Sequence, residues 1–162
     1  MSCMTTDALI ARFLASGDEP TTAAVTVLLE LLDDETIDGS AMPKSIAEAA
    51  RIVGLSTHTL RYYEQQGLVR PTRNASGYRE YSSFDLRRLV FLTRMRVSGM
   101  TIHDLKRYIA LVDEGESTIP ARRDIMLAQR DRIARQIRDL RLALETTEYK
   151  LRVYGGAPTQ PG

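Results

Sequence analysis

The chain has 162 residues, 43% of them hydrophobic and 27% charged, which is typical of one globular domain with or without appendages. No run approaches the ~18 apolar residues of a membrane span, and the N-terminus lacks a secretory signal pattern, so we expect a cytoplasmic protein. A single cysteine, Cys3, excludes a disulfide framework within the chain and a zinc site built from several thiolates.

The formal net charge of +1 arises because an acidic and a basic part of the chain nearly cancel each other. Residues 1–41, which we call the acidic head, contain eight acids and one base and have a net charge of −7. Residues 42–162 contain 21 bases and 13 acids and have a net charge of +8. Such asymmetry hints at a polyanionic partner for the basic part.

The acidic head has the pattern of two short helices. Apolar residues at helical spacing predict a first helix over 7–16, with Thr6 as its N-cap. Gly17–Pro20 then ends this helix, because proline cannot continue it. A second apolar stripe over 25–32 predicts the second helix.

The next segment predicts two short helices joined by a tight turn. Ser45 and Glu48 have the spacing of a capping box, and Gly54 is placed to end that helix in the left-handed conformation. Ser56 then caps a second helix over 57–66, which completes a helix-turn-helix. Short polar residues and an arginine at the start of the second helix suit a major groove. These candidate residues are Ser56, Thr57, His58 and Arg61.

Two short extended runs, 68–71 and 78–81, flank a polar turn and predict a β-hairpin. Its basic and aromatic side chains suit contacts with phosphates. The candidates there are Arg73, Tyr78, Arg79 and Tyr81. The alternative is a purely structural hairpin whose tyrosines cover the core.

Helices are also predicted over 83–98 and 101–112, followed by a long helix that begins near Pro120. Apolar positions of the long helix follow the 4-3-4-3 spacing of a coiled-coil seam and extend over roughly 43 Å. Because this length exceeds a small domain, we expect a second copy of the chain to cover the seam; the alternative is a helix folded back on its own domain. The apolar seam residues are Met126, Ile133, Ile137, Leu140, Leu144, Leu151 and Tyr154, and Arg130 and Thr147 occupy the two remaining positions of the spacing.

Residues 45–154 resemble the MerR family of bacterial transcription regulators. The resemblance rests on ordered motifs, which are Ile46–Ala50 with Gly54–Ser56, Thr59–Glu64 with Gly67–Val69, Pro71 with Ser76–Tyr81, Gly99–Ile102 and the terminal seam. The acidic head has no counterpart in the usual family layout. The expected divisions are the acidic extension 1–41, the DNA-binding domain 45–112, the dimerisation helix 118–154 and a flexible tail 155–162.

The resemblance implies a mainly α-helical, winged helix-turn-helix homodimer, joined by an antiparallel coiled coil and associated with the bacterial nucleoid. Such a dimer binds a pseudo-palindromic promoter and, when an effector binds, bends and untwists the DNA for RNA polymerase. Arg61 is the implied base-edge contact, assisted by Thr57 and His58. The implied phosphate contacts are Tyr62, Tyr63, Arg79, Tyr81, Arg87 and Arg88.

Metal-sensing and redox-sensing family members use several cysteines, so Cys3 alone favours an unidentified non-metal effector. Residues 117–123 resemble an aldehyde-responsive branch of the family, but Arg94 stands where that branch carries its reactive cysteine.

Two questions stay open at this point. The regulator could instead act without a small ligand, either as a plain repressor or under the control of a protein partner that binds the acidic head. The head could also cover the basic wings as an inhibitor, or only add solubility.

The sequence contains no nucleophile–base pair, phosphate-cradling glycine loop or metal-ligand cluster, so we expect neither an enzyme nor a cofactor.

Overall fold

The computed structural model describes residues 4–16, 22–33 and 39–155. They belong to two compact units, Met1–Ile109 and Ala110–Gly162, and most of them are helical. The acidic head therefore lies in the same unit as the helix-turn-helix. The expectations for Cys3, for the break at 17–20, for the acids at 34–38 and for the tail after residue 155 lie outside the described residues.

The acidic head forms the two predicted helices, α1 (Thr6–Leu14) and α2 (Thr22–Leu32). The N-cap of α1 is Thr5 rather than Thr6, because the Thr5 hydroxyl accepts the Ala8 backbone N–H at 3.3 Å. Thr6 is the first residue of the helix and is buried. Both helices pack on the helix-turn-helix unit.

The winged helix-turn-helix follows the head. Its elements are β1 (Lys44–Ser45), α3 (Ile46–Val53), α4 (Thr57–Gln65), β2 (Thr72–Arg73), β3 (Arg79–Tyr81), α5 (Ser83–Val97) and α6 (Ile102–Glu114). We call α4 the recognition helix and residues 72–81 the wing.

The three strands form one antiparallel sheet in the order β1-β3-β2. Lys44 pairs with Tyr81, and Arg73 pairs with Arg79. The hairpin prediction is confirmed, but its first strand lies at 72–73 instead of 68–71. Leu68 and Val69 are fully buried after the end of the recognition helix, and packing rather than strand pairing decides their conformation.

Helix caps fix the turn between α3 and α4. The predicted capping box is present, since Glu48 N–H donates to Ser45 Oγ at 3.2 Å and Ser45 N–H donates to Glu48 Oε2 at 2.9 Å. The backbone bond from Ser45 holds the pKa of Glu48 below its ordinary value. Gly54 ends α3 with φ 70°, as expected of a left-handed C-cap. The Ser56 hydroxyl caps α4 by accepting Thr59 N–H at 3.0 Å.

The core of the first unit lies beneath α4, α5 and α6. Leucines from all three helices are fully buried, among them Leu60, Leu89 and Leu105. The head adds Ile10 and Leu31, which are also buried. Burial of Leu60 fixes which face of the recognition helix points to solvent.

The second unit contains the end of α6, a 3₁₀ turn (Glu116–Thr118) and the long helix α7 (Ile119–Val153). The Thr118 hydroxyl donates to the backbone oxygens of Leu111 and Gly115 at 2.5 and 2.7 Å, which ties the turn to the preceding helix. Across the described parts of the chain, no helix is long and apolar enough to cross a membrane.

Candidate nucleic-acid interface

The first half of the recognition helix presents its polar residues to solvent. Ser56, His58 and Arg61 are exposed and Thr57 is half-buried, while Leu60 between them is fully buried. Helical periodicity accounts for this division, because Leu60 alone must face the core. The arrangement leaves hydroxyl, imidazole and guanidinium groups at the start of one helix.

The two adjacent tyrosines of the recognition helix point in different directions. Tyr62 is 38% exposed, whereas Tyr63 is only 6% exposed. Burial raises the pKa of the Tyr63 phenol, since the charged form is disfavoured away from water. Tyr62 is thus the more exposed of the two tyrosines, and the expected phosphate contact from Tyr63 stays a prediction.

The tip of the wing is a rigid turn with exposed side chains. Asn74 Oδ1 accepts the backbone N–H groups of Ser76 and Tyr78, both at 3.0 Å, and Gly77 adopts a φ of 81°. Arg73 Nη1 donates to the Gly77 oxygen at 2.9 Å, which braces the same turn. Tyr78 is 73% exposed, so the wing offers an aromatic and a cationic group together.

Glu64, in the last turn of the recognition helix, contacts both strands of the wing. Its Oε2 accepts a hydrogen bond from Arg79 Nε, and its Oε1 lies 3.7 Å from Arg73 Nη2. Arg79 was expected to pair with a phosphate, but its guanidinium is already bound to this carboxylate. Nothing in the spacing of the sequence identified Glu64 as a contact of the wing.

Tyr81 lies in the core rather than on the surface of the wing. It is fully buried, and its hydroxyl has no hydrogen-bond partner among the described residues. Burial is the main reason that its pKa is raised, and the nearby Glu64 adds to the shift. The expected phosphate contact from Tyr81 is therefore not available in this conformation, and the structural interpretation of this tyrosine fits better.

Arg87 faces the acidic head instead of solvent and is only 3% exposed. Its Nε donates to Thr6 Oγ1 at 3.0 Å, and its Nη1 donates to the backbone oxygens of Glu30 and Asp33, both at 3.0 Å. Those oxygens lie at the end of α2, where helical carbonyls lack partners within the helix. The expected phosphate contact from Arg87 does not fit this burial.

Arg88, the neighbour of Arg87, lies over the ring of Phe84 at 4.6 Å and is half-buried. It keeps part of its surface in contact with solvent, so its expected role as a phosphate contact is compatible with its position.

The seam of α7 exposes large apolar side chains within the described residues. Met126 and Ile133 are half-buried, and the remaining seam residues are exposed, namely Ile137, Leu140, Leu144, Leu151 and Tyr154. A regular apolar stripe in solvent is unfavourable by roughly 25 cal/mol per Å² of apolar surface. The stripe therefore has the character of an interface.

Two further features bear on ligands. The described parts of the chain contain no group of three or more His, Cys, Asp or Glu side chains that could hold a metal ion. A cleft of about 550 Å³ lies between α1 and α3, beside the ion pair of Lys44 Nζ with Asp7 Oδ2 at 2.9 Å.

Comparisons with known proteins agree with this architecture. Residues 44–111 match the model of MerR HTH family regulatory proteins, and residues 86–146 match the MerR DNA-binding model. The HTH-type transcriptional regulator HmrR of Rhizobium leguminosarum bv. viciae is 36% identical over 105 residues, which are 65% of this chain and 81% of HmrR. The chain belongs to the MerR family. It is a DNA-binding transcriptional regulator, and the acidic head precedes both matched ranges.

Solved MerR-family structures share the winged helix-turn-helix. HiNmlR, described as a MerR family regulator lacking the sensor domain and bound to promoter DNA, is 33% identical with a TM-score of 0.66. That alignment covers 70% of this chain and 91% of HiNmlR. A MerR family regulator from Bacillus thuringiensis is 30% identical with a TM-score of 0.64, over 70% of this chain and 100% of that chain.

Proposed function

We propose that this MerR-family regulator binds a promoter pseudo-palindrome as a homodimer and distorts the DNA between the two half-sites. The observation that carries the proposal is the recognition helix, which buries Leu60 and presents His58 and Arg61 to solvent. An exposed helix start with this chemistry suits entry into a major groove. HiNmlR, a structural relative, is described as bound to promoter DNA.

We assign direct contacts only to side chains that solvent reaches. Arg61 reads a base edge, because its planar fork matches the two acceptors of guanine, and Thr57 and His58 assist it. Phosphate contacts come from the remaining accessible candidates, which are Ser56, Tyr62, Arg73, Tyr78 and Arg88. Two-fold symmetry of the dimer then sets the spacing of the half-sites.

The exposed seam of α7 supports the homodimer. A second copy would cover Leu140 and Leu144, the apolar side chains near the centre of the seam, and would bring two recognition helices to one site. We further propose that the switch is a non-metal effector, which the single cysteine of the chain favours, and that RNA polymerase responds to the distorted promoter.

The described residues of the acidic head leave the recognition helix open to solvent. Its helices pack on α3 and α5, and Leu14 lies 3.6 Å from the position of a Cβ on Gly54 in the turn before α4. Nevertheless His58 and Arg61 stay exposed beside it. We therefore propose that the head is a packed part of the DNA-binding domain.

A comparison of two arginines tests the proposed roles. Arg61→Ala should relax base preference at one position of each half-site and weaken operator binding by about 1–3 kcal/mol. Arg73→Ala should weaken binding to every sequence alike and reduce the salt slope by about one. Footprinting on the DNA upstream of the protein's own gene supplies the operator, and titrations at several salt concentrations give the affinities. Identical behaviour of the two variants would refute the assignment.

A further inference from the structure

We infer that Glu64 is a positioning residue for DNA recognition, which sets the wing against the recognition helix. Glu64 lies one helical turn after Arg61, and each of its carboxylate oxygens faces one wing strand. Oε2 binds Arg79 of β3, and Oε1 lies 3.7 Å from Arg73 of β2. One carboxylate thus joins the helix that reads bases to both strands of the wing.

The register of the wing makes this double contact possible. Arg73 and Arg79 are directly paired across β2 and β3, so their guanidinium groups can approach the same acceptor. Their environments differ, however, because the side chain of Arg79 is 27% exposed and that of Arg73 is 53% exposed. The side chain of Glu64 is 24% exposed, so its bond with Arg79 is partly sheltered from water, which screens fully exposed ion pairs.

The two arginines consequently have different tasks. Arg79 forms an ion pair with Glu64, and it affects DNA binding only through the orientation of the wing. Arg73 keeps about half of its side chain in solvent and stays available to a phosphate. A wing that is held at a constant angle can meet a phosphate only when the recognition helix is in register with its bases. A wing that is free to swing can meet phosphates on any sequence, so loss of Glu64 should cost specificity more than affinity.

This inference rests on the proposed binding of an operator by the recognition helix and the wing together. The experiment is a double-mutant cycle in the full-length protein, with Glu64→Gln, Arg79→Gln and the double variant. Affinities for an operator duplex and for a scrambled duplex of the same length are measured at several salt concentrations. If wild type does not prefer the operator, the proposed function fails; if wild type prefers it and the cycle is additive, only the role of Glu64 fails.

We expect Glu64→Gln to lower the operator-to-scrambled affinity ratio roughly fivefold or more, mainly through stronger binding to the scrambled duplex. Arg79→Gln should lower the ratio similarly, and the double variant should be no worse than either single variant. If Arg79 instead contacts a phosphate directly, Arg79→Gln will weaken both duplexes alike, leave the ratio unchanged and add to the effect of Glu64→Gln. That result would overturn the inference.

Two further variants separate position from charge. Glu80→Gln removes the same charge from β3 of the wing, where the half-buried Glu80 side chain makes no ion pair with another described residue. It should strengthen binding to both duplexes slightly and leave their ratio unchanged. Glu64→Asp keeps the charge but shortens the side chain, so it should also release the wing and lower the ratio in the same way as Glu64→Gln. A wild-type ratio for Glu64→Asp, together with equal ratios for Glu64→Gln and Glu80→Gln, would show that Glu64 contributes charge alone and would overturn the inference.

Discussion

The acidic head and the long helix α7 are both amphipathic segments attached to one winged helix-turn-helix. The apolar stripe of the head is buried in the single chain, whereas that of α7 is exposed. In the head, Ile10 and Leu31 are 0% and 1% exposed, because the helices pack on the domain. In α7, Leu140 and Leu144 are 69% and 55% exposed. An apolar stripe therefore shows that a helix needs a partner, and burial in the single chain shows whether that partner is already present.

Arg87 and Arg73 show the same difference, because one is buried by the head and the other is exposed on the wing. Arg87 is adjacent in sequence to Arg88, but the head covers Arg87 completely and uses it to satisfy carbonyls at the end of α2. Arg73 in the wing has no such cover and keeps half of its side chain in solvent. Positive charge near this helix-turn-helix is thus either used within the fold or left open to solvent, depending on the neighbouring element.

The largest expected effect concerns the open stripe of α7. Leu140→Asp should convert the proposed dimer to monomers in sedimentation and reduce operator affinity about a hundredfold or more, because the two half-sites would then be bound independently. Leu142→Asp is the matched control, since Leu142 is equally exposed but lies outside the seam. A Leu140→Asp protein that remains dimeric would show that the seam is not the interface.

The next effect concerns the covered stripe of the head. Leu31→Ala should lower the free energy of unfolding by about 3 kcal/mol, through lost burial and a residual cavity. Leu29→Ala, on the same helix but 62% exposed, should change it by less than about 0.5 kcal/mol. Urea denaturation measures both. Equal values for the two variants would mean that the head does not pack on the domain in solution.

A smaller effect is expected for the arginine that joins the head to α5. Arg87→Met should lower the free energy of unfolding by about 2 kcal/mol, because carbonyls at the end of α2 and the Thr6 hydroxyl lose their donor. Arg88→Met should cost less than Arg87→Met, about 1 kcal/mol, because Arg88 is only half-buried and its contact with Phe84 is partly open to solvent, but it should weaken binding to all DNA sequences. If the two variants exchange these phenotypes in denaturation and DNA titrations, our distinction between covered and open arginines is wrong.

Much of the fold was predictable because its signals are local. The capping box of Ser45 and Glu48, the left-handed Gly54 and the cap Ser56 each depend on residues a few positions apart. The strand β1 was missed, since Lys44 and Ser45 form a strand only by pairing with β3, far along the chain. The second capping box, Ser82 with Asp85, was also overlooked, although its spacing was visible.

Residue order alone was sufficient to recognise the family, the helix-turn-helix with its wing, and the two amphipathic appendages, because periodicity, caps and ordered motifs are local properties. Tertiary packing decided which candidate side chains stay open to solvent. It buried Tyr63, Tyr81 and Arg87, and it bound Arg79 to Glu64. The physical reason is that exposure and ion pairing depend on which distant segment packs against a residue, and adjacent residues such as Tyr62 and Tyr63 can therefore differ widely in exposure.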